Sequence, residues 1–190
     1  MKKIMLFSSA LLMSLSLSAH AVVVDFTGDY DVTNWTTTLD GGSIDTSNAP
    51  NDIVLTSSDL GGGAASSQTF TIAAATAGTV NFFWQFNTQD VDDASFDPFG
   101  WLLNGAFTSL SDDLGNDFQY GFETFTVAAG DVFGFSANST DSQLGVATSK
   151  VQNFVFEPVS AVPEPSTYAL MLGGLGLVGF MAARRRKQQA

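Results

Sequence analysis

The 190-residue sequence contains no cysteine and only one histidine, His20. Without cysteine, no disulfide holds the fold and no thiolate is present to act as a nucleophile or metal ligand. His20 lies in an N-terminal segment that reads as a targeting signal, so the mature chain is expected to lack histidine as well. These absences remove the usual nucleophile–base pairs and the usual zinc and iron ligands. They predict a protein that is not an enzyme, although carboxylate-only hydrolysis stays formally open.

Basic residues are also scarce, and six of the seven lie at the two ends of the chain. Between residues 22 and 160 there are 18 acidic residues against Lys150 alone, which gives this region a net charge of −17. A surface of that charge repels nucleic acid and anionic lipid. We therefore expect no nucleic-acid partner.

The N-terminus has the parts of a secretory signal. Lys2 and Lys3 precede an apolar stretch at 4–17, and Ala19 and Ala21 are the small residues that a signal peptidase reads. The sequence therefore predicts a signal peptide over residues 1–21, with signal peptidase as a processing partner and cleavage after Ala21.

The C-terminus combines three short segments. Pro163, Glu164 and Pro165 lie in an extended motif at 162–167, because prolines this close together disfavour a helix. An uncharged run of 16 residues follows at 168–183. The chain then turns basic, with a cluster formed by Arg184, Arg185, Arg186 and Lys187. This pattern predicts a single transmembrane helix at 168–183 with the basic tail, 184–190, in the cytoplasm.

The order of these segments resembles the PEP-CTERM sorting signal of Gram-negative bacteria, which would occupy residues 161–190 here. The resemblance implies a precursor anchored in the inner membrane and cut near Pro163-Glu164-Pro165 by a membrane protease-transpeptidase, exosortase. The product would then reach the cell surface or the extracellular matrix. Proteins of this kind occur in bacteria that make exopolysaccharide, biofilm or floc, so exopolysaccharide is an expected partner.

Residues 22–160 are predicted to form one all-β domain. Val80, Phe82, Trp84 and Phe86 recur with a period of two, and glycine and Asn/Asp clusters separate several such runs. Many short strands with frequent turns predict an antiparallel β-sandwich or jelly roll. The order of the strands is loosely similar to the jelly-roll β-sandwich domains of bacterial surface proteins.

The clearest acidic cluster follows the 80–87 strand. It comprises Asp90, Asp92, Asp93 and Asp97, which are spaced closely enough to supply oxygen ligands to calcium, although their spacing is not that of an EF-hand. Asp90, Asp92 and Asp93 are the predicted ligands. A solvated turn in an acidic chain is the alternative. No cofactor is required by the sequence, and calcium is the one that the residues favour.

Trp35 and Trp101 are the candidates for a sugar-binding surface, because each has polar neighbours or lies in an aromatic segment. Packing in the core is the alternative for both. The sequence thus favours a noncatalytic surface or matrix protein. A carbohydrate-binding module on the same export route comes second, and an extracellular hydrolase is least favoured.

Overall fold

The computed structural model describes residues 21–159 and 165–187, which form two separate units. Residues 21–159 contain eleven strands and three single-turn 3-10 helices. In chain order the strands are β1 (Val23–Val24), β2 (Thr36–Thr38), β3 (Ser43–Asp45), β4 (Asp52–Thr56), β5 (Ser66–Ala73), β6 (Gly78–Thr88), β7 (Phe99–Leu103), β8 (Ala106–Ser109), β9 (Phe118–Val127), β10 (Val132–Ser139) and β11 (Ala147–Pro158).

The strands form two sheets in which all neighbours are antiparallel. Sheet A has the order β3-β4-β11-β6-β9, and β1 also pairs with β11. Sheet B has the order β2-β5-β10-β7-β8. The prediction of an all-β, antiparallel sandwich is therefore confirmed.

The core forms where the inward faces of the two sheets meet. On β6 the four residues that alternate in the sequence, from Val80 to Phe86, are all buried. From sheet B, Phe133 and Phe135 on β10 are completely buried, and the Phe135 ring packs edge-on against Phe82 at 5.0 Å. Such edge-to-face contacts are favourable beyond the area that they bury, and they join the two sheets.

A β-bulge divides β11 into two parts. The register with β6 shifts between Gln152 and Val155, and Asn153 has a φ of 53°. Because the bulge adds a residue, Val151, Phe154 and Phe156 all face the core despite their uneven spacing. β11 pairs with β4 before the bulge and with β1 after it.

The sandwich is a complete structural unit. Every strand pairing lies within residues 23–158, and the buried hydrophobic residues run from Phe26 to Phe156. Residues 22–160 are therefore expected to fold on their own.

The second unit is the helix α1 (Pro165–Lys187), which covers the predicted apolar segment. Because α1 begins at Pro165, the prediction of an extended segment up to residue 167 is wrong for 165–167. Proline is well suited to the first helical position, because its missing N–H would be unpaired there anyway. Across 21–159 and 165–187, none of the helices is both long and apolar enough to count as a membrane span. The transmembrane assignment of 168–183 is corrected accordingly: the uncharged run has 16 residues, including four glycines, before Arg184 begins the basic cluster.

Some predictions fall on parts of the chain outside the described residues. These are the signal peptide up to His20, including Ala19, and the first two residues of the Pro163-Glu164-Pro165 motif. They stay predictions.

Candidate functional site

Four aromatic side chains lie together on the outer face of sheet A, and we call them the aromatic strip: Phe83, Phe118, Tyr120 and Phe122. The Phe83 ring on β6 is 4.9 Å from that of Phe122 and 6.1 Å from that of Tyr120, and Phe118 and Tyr120 are 5.9 Å apart. The three residues on β9 are 52%, 65% and 76% exposed in chain order. Large exposed apolar patches on soluble proteins usually mark a binding surface, so the strip is the leading candidate site.

The strip exists because the hydrophobic pattern of β9 changes phase along the strand. Phe118, Tyr120 and Phe122 alternate in one phase, whereas Phe125 and Val127 alternate in the other. Only the second phase faces the core, where Phe125 and Val127 are buried. The first phase is therefore turned to solvent. Sequence reasoning missed this site. The change of phase was its one signal in the sequence, but the pattern alone does not say which of the two phases faces solvent.

Two contacts hold this part of β9 with its aromatic residues outward. On the inward side, the Gln119 amide accepts a hydrogen bond from Asp112 N at 2.7 Å and donates to the carbonyls of Asp112 and Asn116. Gly121 lies directly over the Trp84 indole, so that a Cβ there would be 3.0 Å from Trp84 Nε1. A large inward side chain at 121 would therefore collide with the core.

The strip borders a polar surface on the same face of the sheet. By strand register, Phe83 pairs with Phe122, Gln85 with Tyr120, and Asn87 with Phe118. One strand further, Gln152 lies beside Phe83 and Lys150 beside Gln85. The outward residues next to the strip are thus mainly amides: Asn81, Gln85, Asn87 and Gln152. Thr124 Oγ1 donates to Asn81 Oδ1 at 2.8 Å.

Lys150, the single basic residue of the core, forms an ion pair on this face. Its Nζ lies 3.7 Å from Asp52 Oδ2. Because each charge is balanced by its partner, this part of the face is close to neutral. This near-neutral part of the face differs from the remainder of residues 22–160, which have a net charge of −17 as a whole.

Trp35 is not on the surface, which corrects its prediction as a sugar-binding residue. It is buried among aromatic rings, stacked on Phe70 at 4.7 Å and edge-on to Phe26 at 5.8 Å. Its indole Nε1–H donates to the Tyr30 carbonyl at 3.0 Å. Both the face and the polar tip of the ring are already occupied within the core.

Trp101 on β7 is half-buried and packs one face of its ring inward, so its sugar-binding role stays a prediction. Its ring stacks on Phe125 at 4.1 Å with an interplanar angle of 5°. Its indole nitrogen is buried without a hydrogen-bond partner. Trp35 therefore has no open ring face, whereas Trp101 has one ring face covered by Phe125.

Asp90, Asp92 and Asp93 lie in the loop between β6 and β7, but their carboxylates have different surroundings. Asp90 is buried and its Oδ1 accepts from Asp92 N, whereas Asp93 is exposed and accepts from Ser95 N and Oγ. Asp92 is exposed. In the parts of the chain that the structure describes, no group of three or more His, Cys, Asp or Glu is arranged to hold a metal ion. A calcium site in this loop stays a prediction.

Melting curves test calcium at this loop directly. If calcium binds, calcium chloride is expected to raise the melting temperature of residues 22–160 more than sodium chloride at matched ionic strength. At a free concentration 100 times the Kd, the excess would be roughly 5–10 °C. Equal shifts with the two salts would mean that only charge screening operates. A calcium-specific shift that survives Asp90→Asn would place the site elsewhere.

Within residues 21–159, Asp97 is the most deeply buried carboxylate, and the segments that contain Ser57, Thr88 and Ser139 surround it. Its Oδ2 accepts from the Thr88 hydroxyl at 3.5 Å, and its Oδ1 is buried without a partner. Burial raises the pKa of Asp97 to about 6, and the nearby Asp90 charge adds to this, while the hydroxyls of Ser57, Ser139 and Thr88 oppose it. Burial also raises the pKa of Asp90, helped by the charges of Asp141, Asp92 and Asp59. Since Asp97 is 1% exposed, it is out of reach of a substrate.

The comparison that decides the role of the tail concerns residues 161–187, which match the family described as PEP-CTERM protein-sorting motif. The chain carries a PEP-CTERM sorting motif. The match spans the Pro163-Glu164-Pro165 segment, α1 and the basic cluster. A PEP-CTERM motif indicates an exported surface protein that exosortase processes, and it leaves the core without an assigned activity.

The core resembles solved structures only distantly, and no curated protein sequence matches the chain. A family 35 carbohydrate-binding module from Clostridium thermocellum is 11% identical, with a TM-score of 0.36, over 70% of this chain and 98% of that module. The CBM35 from Paenibacillus barcinonensis is 10% identical, with a TM-score of 0.33, over 74% and 100%. The secreted serine protease VesC from Vibrio cholerae is 14% identical, with a TM-score of 0.38, over 71% and 28%. Likenesses at this level assign no function to the core.

Proposed function

We propose that this chain is a noncatalytic protein of the bacterial cell surface or extracellular matrix. In this proposal, signal peptidase removes residues 1–21, exosortase processes the tail, and the β-sandwich is delivered to an exopolysaccharide-rich layer such as a biofilm or floc. The single observation that carries the proposal is the PEP-CTERM motif at 161–187. The proposal rests on that motif and does not depend on α1 being a membrane span.

The charge of the core is consistent with this location. A domain with a net charge of −17 stays dispersed outside the cell and avoids anionic lipid and nucleic acid. The buried position of Asp97, the carboxylate with a pKa of about 6, supports a noncatalytic role, because a general acid must touch its substrate.

The sorting step is tested with the full chain in a host that has exosortase. Surface-released protein is expected to begin at Val22 and to lack residues 168–190, as measured by intact mass. Replacing Pro163, Glu164 and Pro165 with alanine is expected to leave the tail attached and to abolish release, because the processing segment is gone.

Two comparisons make that experiment decisive. A host without exosortase should behave like the triple alanine variant, and a Gln188→Ala/Gln189→Ala chain, changed only beyond α1, should be processed normally. Release of protein that still contains residues 168–190 would contradict sorting through this tail.

A carbohydrate-binding module on the same route is the second candidate function. One observation favours it, namely the exposed aromatic strip beside a row of amide side chains. This candidate describes what the core does after delivery, so it is compatible with the first.

A further inference from the structure

We propose that the aromatic strip and its amide neighbours form a binding site for a neutral polysaccharide chain lying along β9. This inference deepens the second function proposed above by naming the site and the ligand class. It moves the predicted sugar contacts from Trp35 and Trp101 to Phe83, Tyr120 and Phe122, with Phe118 extending the surface.

The geometry suits an elongated ligand with repeating rings. Residues 118 to 122 place three outward rings along one strand over about 13 Å, because alternate residues on a strand point to the same face. Phe83 lies on the neighbouring strand within 6.1 Å of both Tyr120 and Phe122, so the rings support one another and form a ready-made platform. A preorganised surface loses little side-chain entropy when it binds.

The side chains of the strip and its neighbours match a sugar ring in two ways: aromatic rings suit its C–H faces, and amides suit its hydroxyls. The C–H groups of a pyranose pack on the electron-rich face of an aromatic ring. Its hydroxyls need donors and acceptors at the edge of that platform, and amides supply both. Gln85 lies directly across from Tyr120, and Gln152 lies beside Phe83, which places amides along the length of the strip.

The charges favour a neutral glycan over an acidic one. The core carries 18 acidic residues and one lysine, and that lysine is paired with Asp52. An anionic polymer would meet long-range repulsion from the domain and no unpaired cation from the core on this face.

The same charges argue against a second copy of the chain as the occupant. Joining two strips face to face would bring together two domains of net charge −17. In sheet A, β9 is an edge strand: one of its sides pairs with β6, and its other side is not paired within the sheet. A long ligand therefore has room to continue past this edge. We infer that the strip stays open to solvent until a glycan covers it.

The test is the binding of residues 22–160 to defined polysaccharides. The neutral probes are hydroxyethylcellulose, laminarin and galactomannan, and the acidic probe is alginate, each cast in an affinity gel and then titrated by calorimetry. We expect at least one neutral probe to bind. Its Kd should change little when the sodium chloride concentration is raised, because salt screens interactions between charges and a neutral glycan forms none with this surface. The Tyr120→Ala/Phe122→Ala variant is expected to weaken that binding about tenfold or more.

Control variants separate binding from folding. Phe107→Ala removes an exposed phenylalanine from β8 in the other sheet, and should leave binding unchanged. Melting curves should show that the double variant folds as the parent does, since both of its residues are largely exposed.

Three results would overturn the proposal. The first is no binding to any of the three neutral probes, and the second is binding that the double variant leaves intact. The third is salt-sensitive binding to alginate that Lys150→Gln abolishes. A dimer of the parent core that the double variant dissolves, with no glycan binding, would instead identify the strip as a contact between copies. Each result leaves the sorting experiment untouched, because that experiment follows the tail in cells.

Discussion

Replacing Trp35 with alanine is expected to lower the melting temperature of residues 22–160 by roughly 10–20 °C, because removing a buried tryptophan costs about 3–5 kcal/mol. The cause is its position among five aromatic rings from different parts of the chain: Phe26, Phe70, Phe133, Phe135 and Phe154. The substitution also leaves the Tyr30 carbonyl without its indole donor. The core has no disulfide to limit the loss.

The matched comparison is Phe122→Ala, which removes a large aromatic residue that is 76% exposed. We expect it to change stability by no more than about 0.5 kcal/mol, since surface substitutions away from special features usually do little. Thermal melts of the parent and the two variants, followed by circular dichroism, measure both effects. A Trp35→Ala core that melts like the parent but fails to bind glycan would restore Trp35 as a surface residue.

The sandwich itself could be predicted because its strongest signals are local. In the period-two pattern from Val80 to Phe86, every second residue is apolar. These residues share one face of the strand, so that face packs against the core and is removed from water. Turn residues between such runs then limit the fold to antiparallel strands. The predicted strand at 80–87 corresponds to β6, which runs from Gly78 to Thr88.

The aromatic strip could not be predicted because β9 contains two apolar phases. When only one face of a sheet packs against the core, a strand can bury only one of those phases. The choice depends on tertiary contacts: Trp84 beneath Gly121, and the Gln119 side chain bonded to the loop before the strand. Conflicts between local pattern and final structure often mark functional sites. The bulge in β11 is a similar case, because it changes which residues face inward without any glycine or proline to mark it.

The tryptophans show why residue type alone places a sugar site poorly. Trp35 has polar neighbours in the sequence, yet its ring reaches into the core from a segment with little regular structure. Phe122, on the edge strand β9, is instead exposed. Which aromatic ring is accessible depends on sheet order, and sheet order is a long-range property that periodicity does not report.

The core is expected to be more stable at pH 5 than at pH 7.5, with Asp97 as the main cause. The pKa of Asp97 is about 6 in the folded chain, above the ordinary value of 3.8, because burial disfavours its charged form. Between these two values the folded state holds a proton that the unfolded state has released. Stability from this group is therefore fully present below pH 4 and is lost as the pH rises through 6, by roughly 3 kcal/mol in total.

Other carboxyl groups act differently and do not mask this effect. Hydrogen bonds from Thr33, Ser47 and Ser95 lower the pKa values of Asp31, Asp45 and Asp93 respectively, so their stabilisation is already complete above pH 5. Asp90 has a raised pKa and acts in the same direction as Asp97. A variant that changes Asp97 alone is needed to separate the two.

Asp97→Asn provides that separation, because the amide has nearly the same shape but does not ionise in this range. The free energy of unfolding of the parent should fall between pH 5 and pH 7.5 by about 1.4 kcal/mol more than that of the variant, as measured by urea denaturation with a chelator present. Most of the remainder of the roughly 3 kcal/mol is lost between pH 4 and pH 5. Asp113→Asn, an exposed change that removes the same charge, should keep the parent's pH dependence. If Asp97→Asn and Asp113→Asn follow the same curve, general repulsion among the acidic residues explains the pH dependence, and the buried carboxylate does not.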